Sequence, residues 1–302
     1  TPVFLPGTTL VRPMASMTQT VRLLKPTSVI FIVFPHSHRP LLFADLYNKH
    51  NWNPPREVRA AAYRYHSTKL ATEAAGKALN NWGGRPQDIT HVIGVSTTGW
   101  DEPGLASKVI EALKLSPYTE KFELVFNGCF AGLTALRLAK SLYHANPKSC
   151  ILVVACEIST VHYNATDFDR RKVLGNHLFG DGSGAVVVSS TGNWVLEDFG
   201  NYKISGSSQT LTMHESTTAQ HGGSEMTLSK ELVTNLKGAF TGTFGVWLIR
   251  KIIAKCGLVQ RPAFCLHPGG KRILGNVSEA VAKLHLGTLP QDNFDVMEEC
   301  GN

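Results

Sequence analysis

Cys129 stands where the sequence changes from a predicted strand to a predicted helix. Residues 126–132 read Phe-Asn-Gly-Cys-Phe-Ala-Gly, with an apolar segment before them and a helical one after them. A sharp strand-to-helix turn projects a side chain toward open space, as in nucleophile elbows. The partial positive charge at a helix N-terminus favours thiolate over thiol. Cys129 is therefore a candidate nucleophile, and a small buried apolar cysteine is the structural alternative.

His267 is the second candidate, because an apolar segment ends on it and Pro268-Gly269-Gly270 then turns the chain into a predicted helix. Functional side chains collect where strands end at loops in α/β folds. The alternative is a histidine whose ring is satisfied by nearby backbone. Asn302, the last residue, would by itself be read as a frayed end.

Three other motifs do not carry chemistry. The glycines at 180–184 are followed by Val-Val-Val-Ser-Ser, a strand, whereas a dinucleotide site needs a helix there. Gly270-Lys271 lacks the first glycine of a P-loop. His36 and His38 have no carboxylate or cysteine nearby to complete a metal site, so no metal is predicted.

Strands and helices alternate along the chain, which predicts an α/β fold. We expect residues 1–52 to be unassigned, residues 53–190 to form one layered unit and residues 191–302 a second. The predicted helices cover 55–82, 104–113, 131–142, 228–256 and 270–284. The predicted strands cover 90–96, 122–126, 150–155 and a region from 194, and within 179–188 a glycine turn is predicted to lead into a strand. The helix at 131–142 is apolar on nearly every side and is predicted to be buried all round.

The composition of the 302 residues is that of a globular protein with a net charge of +7. A basic surface favours anionic partners, which include nucleic acid, anionic lipid and phosphorylated cofactors. Apolar runs are too short for a bilayer span, and no signal peptide is predicted. The six cysteines form no CxxC pair. We read them as reduced thiols of a cytoplasmic protein.

Several motifs together resemble the type III polyketide synthases, the chalcone synthase family. The segment 128–132 with 136–140 resembles the nucleophile region, 178–182 the gatekeeper loop, 267–270 the catalytic histidine region and 299–302 the catalytic asparagine region. Thr97-Thr98-Gly99 and Glu157-Ile158-Ser159 fall in the expected order. The resemblance covers residues 54–302.

This resemblance implies a thiolase-like fold of two duplicated α/β halves, usually as a homodimer. Cys129 would hold the starter acyl group as a thioester, and His267 would keep Cys129 as a thiolate. His267 and Asn302 would donate hydrogen bonds to the malonyl thioester oxygen during decarboxylation. The substrates would be an acyl-CoA starter and malonyl-CoA, with no metal or other cofactor and no nucleic-acid partner. The basic charge would then serve the CoA phosphates.

The family also suggests residues around the substrate. Phe179 and Met226 would be the two gatekeepers between the CoA tunnel and the cavity. The expected cavity lining is Thr97, Thr98, Glu157, Ser159 and His162. The expected CoA-binding segment is Gly269, Gly270, Lys271 and Arg272. Chalcone synthases commonly have a small threonine at the position of His162, so a smaller cavity with altered starter choice or fewer extensions is predicted.

The chain departs from the family pattern at three places. Glu102 replaces a methionine that reaches across the dimer, and a charge there must be paired or hydrated. Residues 1–52 do not match the family. The family continues past Asn302 with further strands, so we expect the C-terminal half to be truncated, and a fragment or degenerate paralogue is one reading.

Three rival readings stay open at this point. A ketoacyl synthase III-like condensing enzyme has cysteine, histidine and asparagine in the same order. A cysteine protease has the same order too, but the sequence lacks the local signature around the nucleophile. A thiolase-fold paralogue that only dimerises is the third.

Overall fold

The computed structural model describes most of the chain. The described residues are 2–4, 9–13, 22–23, 30–33, 46–50, 53–164, 173, 175–176, 178–192, 194–201, 203–215, 224–229, 231–242, 244–247, 250–251, 263–267, 269–283, 291 and 294–295. The helices are α1 (Arg56–Trp82), α2 (Leu105–Ala112), α3 (Ala131–Ala145), α4 (Glu231–Thr241) and α5 (Lys271–Lys283). The strands are β1 (Pro2–Phe4), β2 (Thr9–Pro13), β3 (Arg22–Leu23), β4 (Ile30–Val33), β5 (His91–Ser96), β6 (Glu120–Val125), β7 (Ile151–Ile158), β8 (Asp181–Ser189), β9 (Trp194–Phe199), β10 (Leu211–Glu215), β11 (Ser224–Leu228) and β12 (Ala263–Cys265).

The main sheet joins strands from both ends of the described chain. Its order is β12-β1-β2-β9-β3-β8-β7-β5-β6, with β4 also paired to β8. The strands β6, β5 and β7 are parallel, and β8 is antiparallel to β7. A separate hairpin consists of β10 and β11. The mixed α/β architecture confirms the predicted fold class, whereas the division at residues 52 and 190 stays a prediction.

Helices cover both faces of the β5-β7-β8 region. The long helix α1 packs with α2 on one face, where its alanine and leucine side chains meet Leu152, Val154 and Val187. Helix α3 packs on the other face against Ile93, Val153 and residues of β9. The predicted helix at 55–82 is confirmed, and it ends at Gly83, whose φ of 75° permits the left-handed cap.

The prediction that the helix after Cys129 is buried all round is wrong. Burial in α3 follows one stripe at a spacing of four residues, made of Ala131, Ala135, Ala139 and Tyr143. Arg137 and Ser141 are exposed on the other side of α3. The small alanine side chains let the helix backbone approach the sheet closely, so one narrow stripe is enough to bury it.

The glycines at 180–184 lie in a strand rather than in a turn. Gly182 and Gly184 belong to β8, and they pair with Glu157 and Ala155 of β7. No helix follows them, which agrees with the rejection of a dinucleotide site.

A buried arginine on α1 anchors the turn that follows β7. Arg59 is 3% exposed, and its guanidinium donates to the carbonyl oxygens of Pro54 at 2.7 Å, Val161 at 2.8 Å and Tyr163 at 2.9 Å. It also donates to the hydroxyl of Tyr47 at 2.9 Å. These bonds hold residues 159–163 against α1.

Candidate active site

The centre of the site is a carboxylate held at the ends of two parallel strands. The Oε atoms of Glu157 accept hydrogen bonds from the Thr97 amide at 2.9 and 3.0 Å and from the Thr98 amide at 2.8 Å. The hydroxyls of Thr98 and Ser96 donate to the same carboxylate at 2.7 and 3.4 Å. Because β5 and β7 are parallel neighbours, their carboxyl ends bring these residues together.

Burial and hydrogen bonding act in opposite directions on Glu157. Desolvation raises the pKa of the Glu157 carboxyl, while the Thr98 and Thr97 donors act to lower it. The Thr98 hydroxyl also accepts from the Ile158 amide at 2.8 Å, so both of its hydrogen-bonding roles are used. The buried Thr97 hydroxyl, in contrast, has no hydrogen-bond partner within the described part of the chain.

Cys129 lies on the turn between β6 and α3. Gly128 adopts a φ of 80°, and its carbonyl accepts from the Ala131 amide at 3.0 Å as the helix begins. The Cys129 side chain is exposed, as an accessible nucleophile requires. The predicted position at a strand-to-helix turn is confirmed.

The surroundings of Cys129 favour its thiol form, and the expected thiolate held by His267 stays a prediction. Desolvation by the surrounding protein atoms, followed by the negative charge of Glu157, raises the pKa of the Cys129 thiol. Both effects favour the thiol over the thiolate. The residue as a whole is exposed.

His267 lies beyond hydrogen-bonding geometry from Cys129. Among the described residues, no hydrogen bond joins the His267 ring to the Cys129 sulfur. Desolvation lowers the pKa of His267 to about 4, so its imidazole is neutral at neutral pH, even though part of the residue is exposed. The expected role of His267 in keeping Cys129 as a thiolate stays a prediction. Asn302 and Pro268 lie outside the described residues.

The glycines that follow His267 lie close to two groups, the His267 ring and the segment that carries the expected gatekeeper Phe179. A Cβ placed on Gly269 would lie 3.5 Å from the His267 ring, and one on Gly270 would lie 3.5 Å from Leu178, next to Phe179. Gly270 adopts a φ of 134°, which favours glycine. Lys271 and Arg272 are exposed at the start of α5. The predicted CoA segment is thus accessible, and its role stays a prediction.

The remaining cavity positions lie on the turn after β7 and on the hairpin. Ser159 begins the 3₁₀ turn Ser159–His162 directly after β7. The ring of His162 contacts Thr98 and Ser224 by hydrogen bonds of 2.5 and 3.1 Å. Met226 lies on β11 opposite Met213 of β10, and its side chain is outside the described part of the structure.

The structure therefore brings Thr97, Thr98, Glu157 and His162 into one network and places Cys129 within electrostatic range of it. Sequence reasoning missed Ser224 and the central role of Thr98, because no local pattern marks a contact that joins positions 64 residues apart. Glu102, where a methionine was expected, is exposed and thus hydrated in this chain. Within the described residues no group of three His, Cys, Asp or Glu side chains could hold a metal, and no helix is long and apolar enough to cross a membrane.

Comparison with known proteins supports the same family. Residues 25–192, more than half of the chain, match the model of the chalcone and stilbene synthases, N-terminal domain. The expectation that residues 1–52 do not match the family is therefore wrong for residues 25–52. The structure is similar to that of PKS-I from the brown alga Ectocarpus siliculosus, with a TM-score of 0.72 and 25% identity, covering 83% of this chain and 65% of that one. This chain thus spans less than two thirds of the algal protein.

A second solved structure shows the same fold. The C-terminal type III polyketide synthase domain of Steely1, a type I/III hybrid from Dictyostelium, has a TM-score of 0.69 and 21% identity, with 94% of this chain and 86% of that chain covered. The match to the N-terminal domain model and the shared architecture lead to one conclusion. The chain belongs to the chalcone and stilbene synthase family, the type III polyketide synthases.

Proposed function

We propose that this protein is an acyltransferase that condenses an acyl-CoA starter with malonyl-CoA units by decarboxylative Claisen condensation, forming a polyketide. The observation that carries the proposal is the exposed Cys129 on the turn into α3, within electrostatic range of the Glu157 carboxylate, in a chain of this family. A ketoacyl synthase III-like enzyme and a cysteine protease are less well supported, because the family match is specific.

The first step loads Cys129. Its sulfur attacks the carbonyl carbon of the acyl-CoA thioester, and the thiol proton passes to a base. His267 suits that role because its imidazole is neutral, provided that substrate binding brings the ring to the sulfur. The tetrahedral intermediate expels the CoA thiolate, which takes the proton back from His267. The products are acyl-Cys129 and free CoA.

The second step extends the chain. The bond between the malonyl carboxylate and its α-carbon breaks, CO₂ leaves, and the electron pair forms an enolate of the CoA thioester. Hydrogen bonds from His267 and Asn302 would stabilise the enolate oxygen. The enolate carbon then attacks the acyl-Cys129 carbonyl and expels the Cys129 thiolate, which gives a β-ketoacyl-CoA. No metal or redox cofactor takes part in these steps.

Residues around the loading site fit the proposed substrates. Lys271 and Arg272 lie exposed directly after Gly270, which lies close to Leu178, and there they would meet CoA phosphates. Thr97, Thr98, Ser159 and His162 would line the acyl cavity with the gatekeepers Phe179 and Met226.

We also propose a cytoplasmic homodimer. Strand β6 lies at one end of the main sheet, and none of the described strands pairs with its outer side. Next to it, Trp100, Phe126 and Phe130 are exposed by 64%, 57% and 46%. Exposed aromatic side chains beside an open strand edge favour association with a second copy.

The test is mass spectrometry of the intact chain and of the products after incubation with several acyl-CoAs and malonyl-CoA. We expect acylation of Cys129 and release of CO₂ with β-keto products, both lost in Cys129→Ala. An unacylated Cys129 with every acyl-CoA would favour a non-catalytic paralogue. Acceptance of a substrate bound to acyl-carrier protein, instead of malonyl-CoA, would favour the ketoacyl synthase alternative.

A further inference from the structure

His162 joins two parts of the site that are far apart in sequence. Its Nδ1 lies 3.1 Å from the backbone nitrogen of Ser224, and its Nε2 lies 2.5 Å from the carbonyl oxygen of Thr98. A backbone N–H can only donate and a carbonyl can only accept. Nδ1 is therefore the acceptor and Nε2 carries the hydrogen, which defines a neutral Nε2–H tautomer.

Each end of this bridge is connected to residues of the proposed site. Thr98 holds the Glu157 carboxylate through its amide at 2.8 Å and its hydroxyl at 2.7 Å. Ser224 is the first residue of β11, which pairs with β10 and carries Met226 two positions further on. The half-buried imidazole thus ties the β10–β11 hairpin to the loop that positions Glu157.

The turn that presents His162 is itself fixed. Arg59 donates to the carbonyls of Val161 at 2.8 Å and Tyr163 at 2.9 Å, one on each side of His162. Thr160 donates from its amide and hydroxyl to Asp181 at 2.8 and 2.6 Å. With its own backbone held on both sides, the His162 ring can restrain the hairpin instead of moving with it.

We propose that His162 is a positioning residue, which sets starter and chain-length selectivity by holding the β10–β11 hairpin against the Thr98–Glu157 loop, and does not act only by filling cavity volume. This inference rests on the proposed function. A substitution that keeps the selectivity must then preserve the hydrogen bonds of His162 rather than the volume of its ring.

Three substitutions at His162 distinguish the effect of each hydrogen bond from the effect of side-chain volume. His162→Asn retains an acceptor near the position of Nδ1, and His162→Gln retains a donor near the position of Nε2. His162→Leu has similar bulk and neither group. We expect the Ser224 amide to exchange its hydrogen about tenfold faster in His162→Leu and His162→Gln, as the loss of one hydrogen bond would produce, and to stay near the wild-type rate in His162→Asn.

The second measurement is catalytic. In His162→Leu we expect the KM for the starter acyl-CoA to rise about tenfold and the product lengths to change, with Cys129 still acylated at saturating starter. His162→Gln, which also loses the Ser224 contact, should show a similar rise, and His162→Asn, which keeps that contact, should stay closer to the wild type. Wild-type products and wild-type Ser224 exchange in His162→Leu would overturn the proposal, as would equal effects of the Leu and Asn variants on both readouts. If the wild-type chain does not acylate, the proposed function fails, and the exchange rates still decide whether His162 holds the hairpin.

Discussion

Glu157 and Cys129 are coupled through charge. The carboxylate lies among amide and hydroxyl donors of Thr97 and Thr98, and its charge adds to desolvation in raising the pKa of the Cys129 thiol. A raised thiol pKa means that the thiolate fraction is small at neutral pH and increases as the pH rises. Under the proposed function, the neutral imidazole of His267 would be the base that takes the thiol proton once substrate is bound.

Neutralising Glu157 should make Cys129 more reactive. In Glu157→Gln we expect the pKa of the Cys129 thiol to fall, because a nearby negative charge is removed. The measurement is the rate of iodoacetamide alkylation at Cys129 as a function of pH, read by peptide mass spectrometry. The profile should move to lower pH.

The control for this prediction is Glu120→Gln on β6, whose side chain is 70% exposed and pairs weakly with His91 at 3.9 Å. This substitution also removes one negative charge, but at a position away from the site. The pH profile of Cys129 alkylation should therefore stay unchanged. A Glu157→Gln profile that is unchanged or displaced to higher pH would contradict the coupling.

At the scale of elements, the close packing of α3 on the sheet positions Cys129. Arg59 on α1 positions the turn Ser159–His162. Helix α3 begins two residues after Cys129, so its placement on the sheet determines where the sulfur points. The turn Ser159–His162 depends on α1 through Arg59. Stability and site geometry are therefore linked at both places.

Enlarging a side chain in the alanine stripe should destabilise the fold. Ala135 is fully buried between α3 and the sheet, so Ala135→Leu would force the helix away from it. We expect a loss of about 1–3 kcal/mol in the free energy of unfolding, measured by urea denaturation. Ala145→Leu, at the exposed end of the same helix, is the matched control and should change stability little. Equal effects at the two positions would show that the stripe does not limit the helix–sheet distance.

Replacing Arg59 should loosen the turn that carries His162. A lysine cannot reproduce the planar arrangement of donors that reaches the Pro54, Val161 and Tyr163 carbonyls. For Arg59→Lys we expect about 2–4 kcal/mol less stability, because buried carbonyls lose their donors. Thermal and urea unfolding measure the change, with the exposed Arg64→Lys on the same helix as control. A stability equal to that of the control would refute the anchoring role.

At the scale of the whole molecule, we propose that two copies associate through the sheet edge formed by β6 and the aromatic surface beside it. A cleft of about 330 Å³ lies there, lined among others by Tyr63, Trp100, Glu102 and Phe126. Glu102 is hydrated in a single copy, and in a dimer its charge would need water or a basic partner. The proposed association therefore combines an apolar surface with one charge that must stay solvated or paired.

A charge placed on this surface should weaken the dimer. For Phe126→Glu we expect the dissociation constant to increase by about tenfold or more, since an exposed aromatic contact is lost and a charge is introduced. Sedimentation velocity over a concentration series measures the change. Tyr65→Glu, at a tyrosine 64% exposed on α1, is the control. A wild-type chain that stays monomeric throughout the series would contradict the homodimer.

Much of the architecture follows from local patterns. The alanine-rich segment that ends at Gly83, the apolar strands near 91 and 151, and the glycines around Cys129 predict elements that the structure contains. The order of the motifs likewise predicts the family that the comparisons confirm. Such features can be predicted because the hydrogen bonding and the apolar periodicity of a helix, strand or turn involve residues close together in sequence.

Long-range packing establishes the rest. Only the folded chain reveals that α3 buries a single stripe, that Glu157 opposes the thiolate state of Cys129, and that His162 connects Thr98 with Ser224. Each of these depends on distances between segments separated by tens of residues, and on the desolvation that results when they pack. Burial and charge act through space, so residue identity and spacing along the chain cannot specify them.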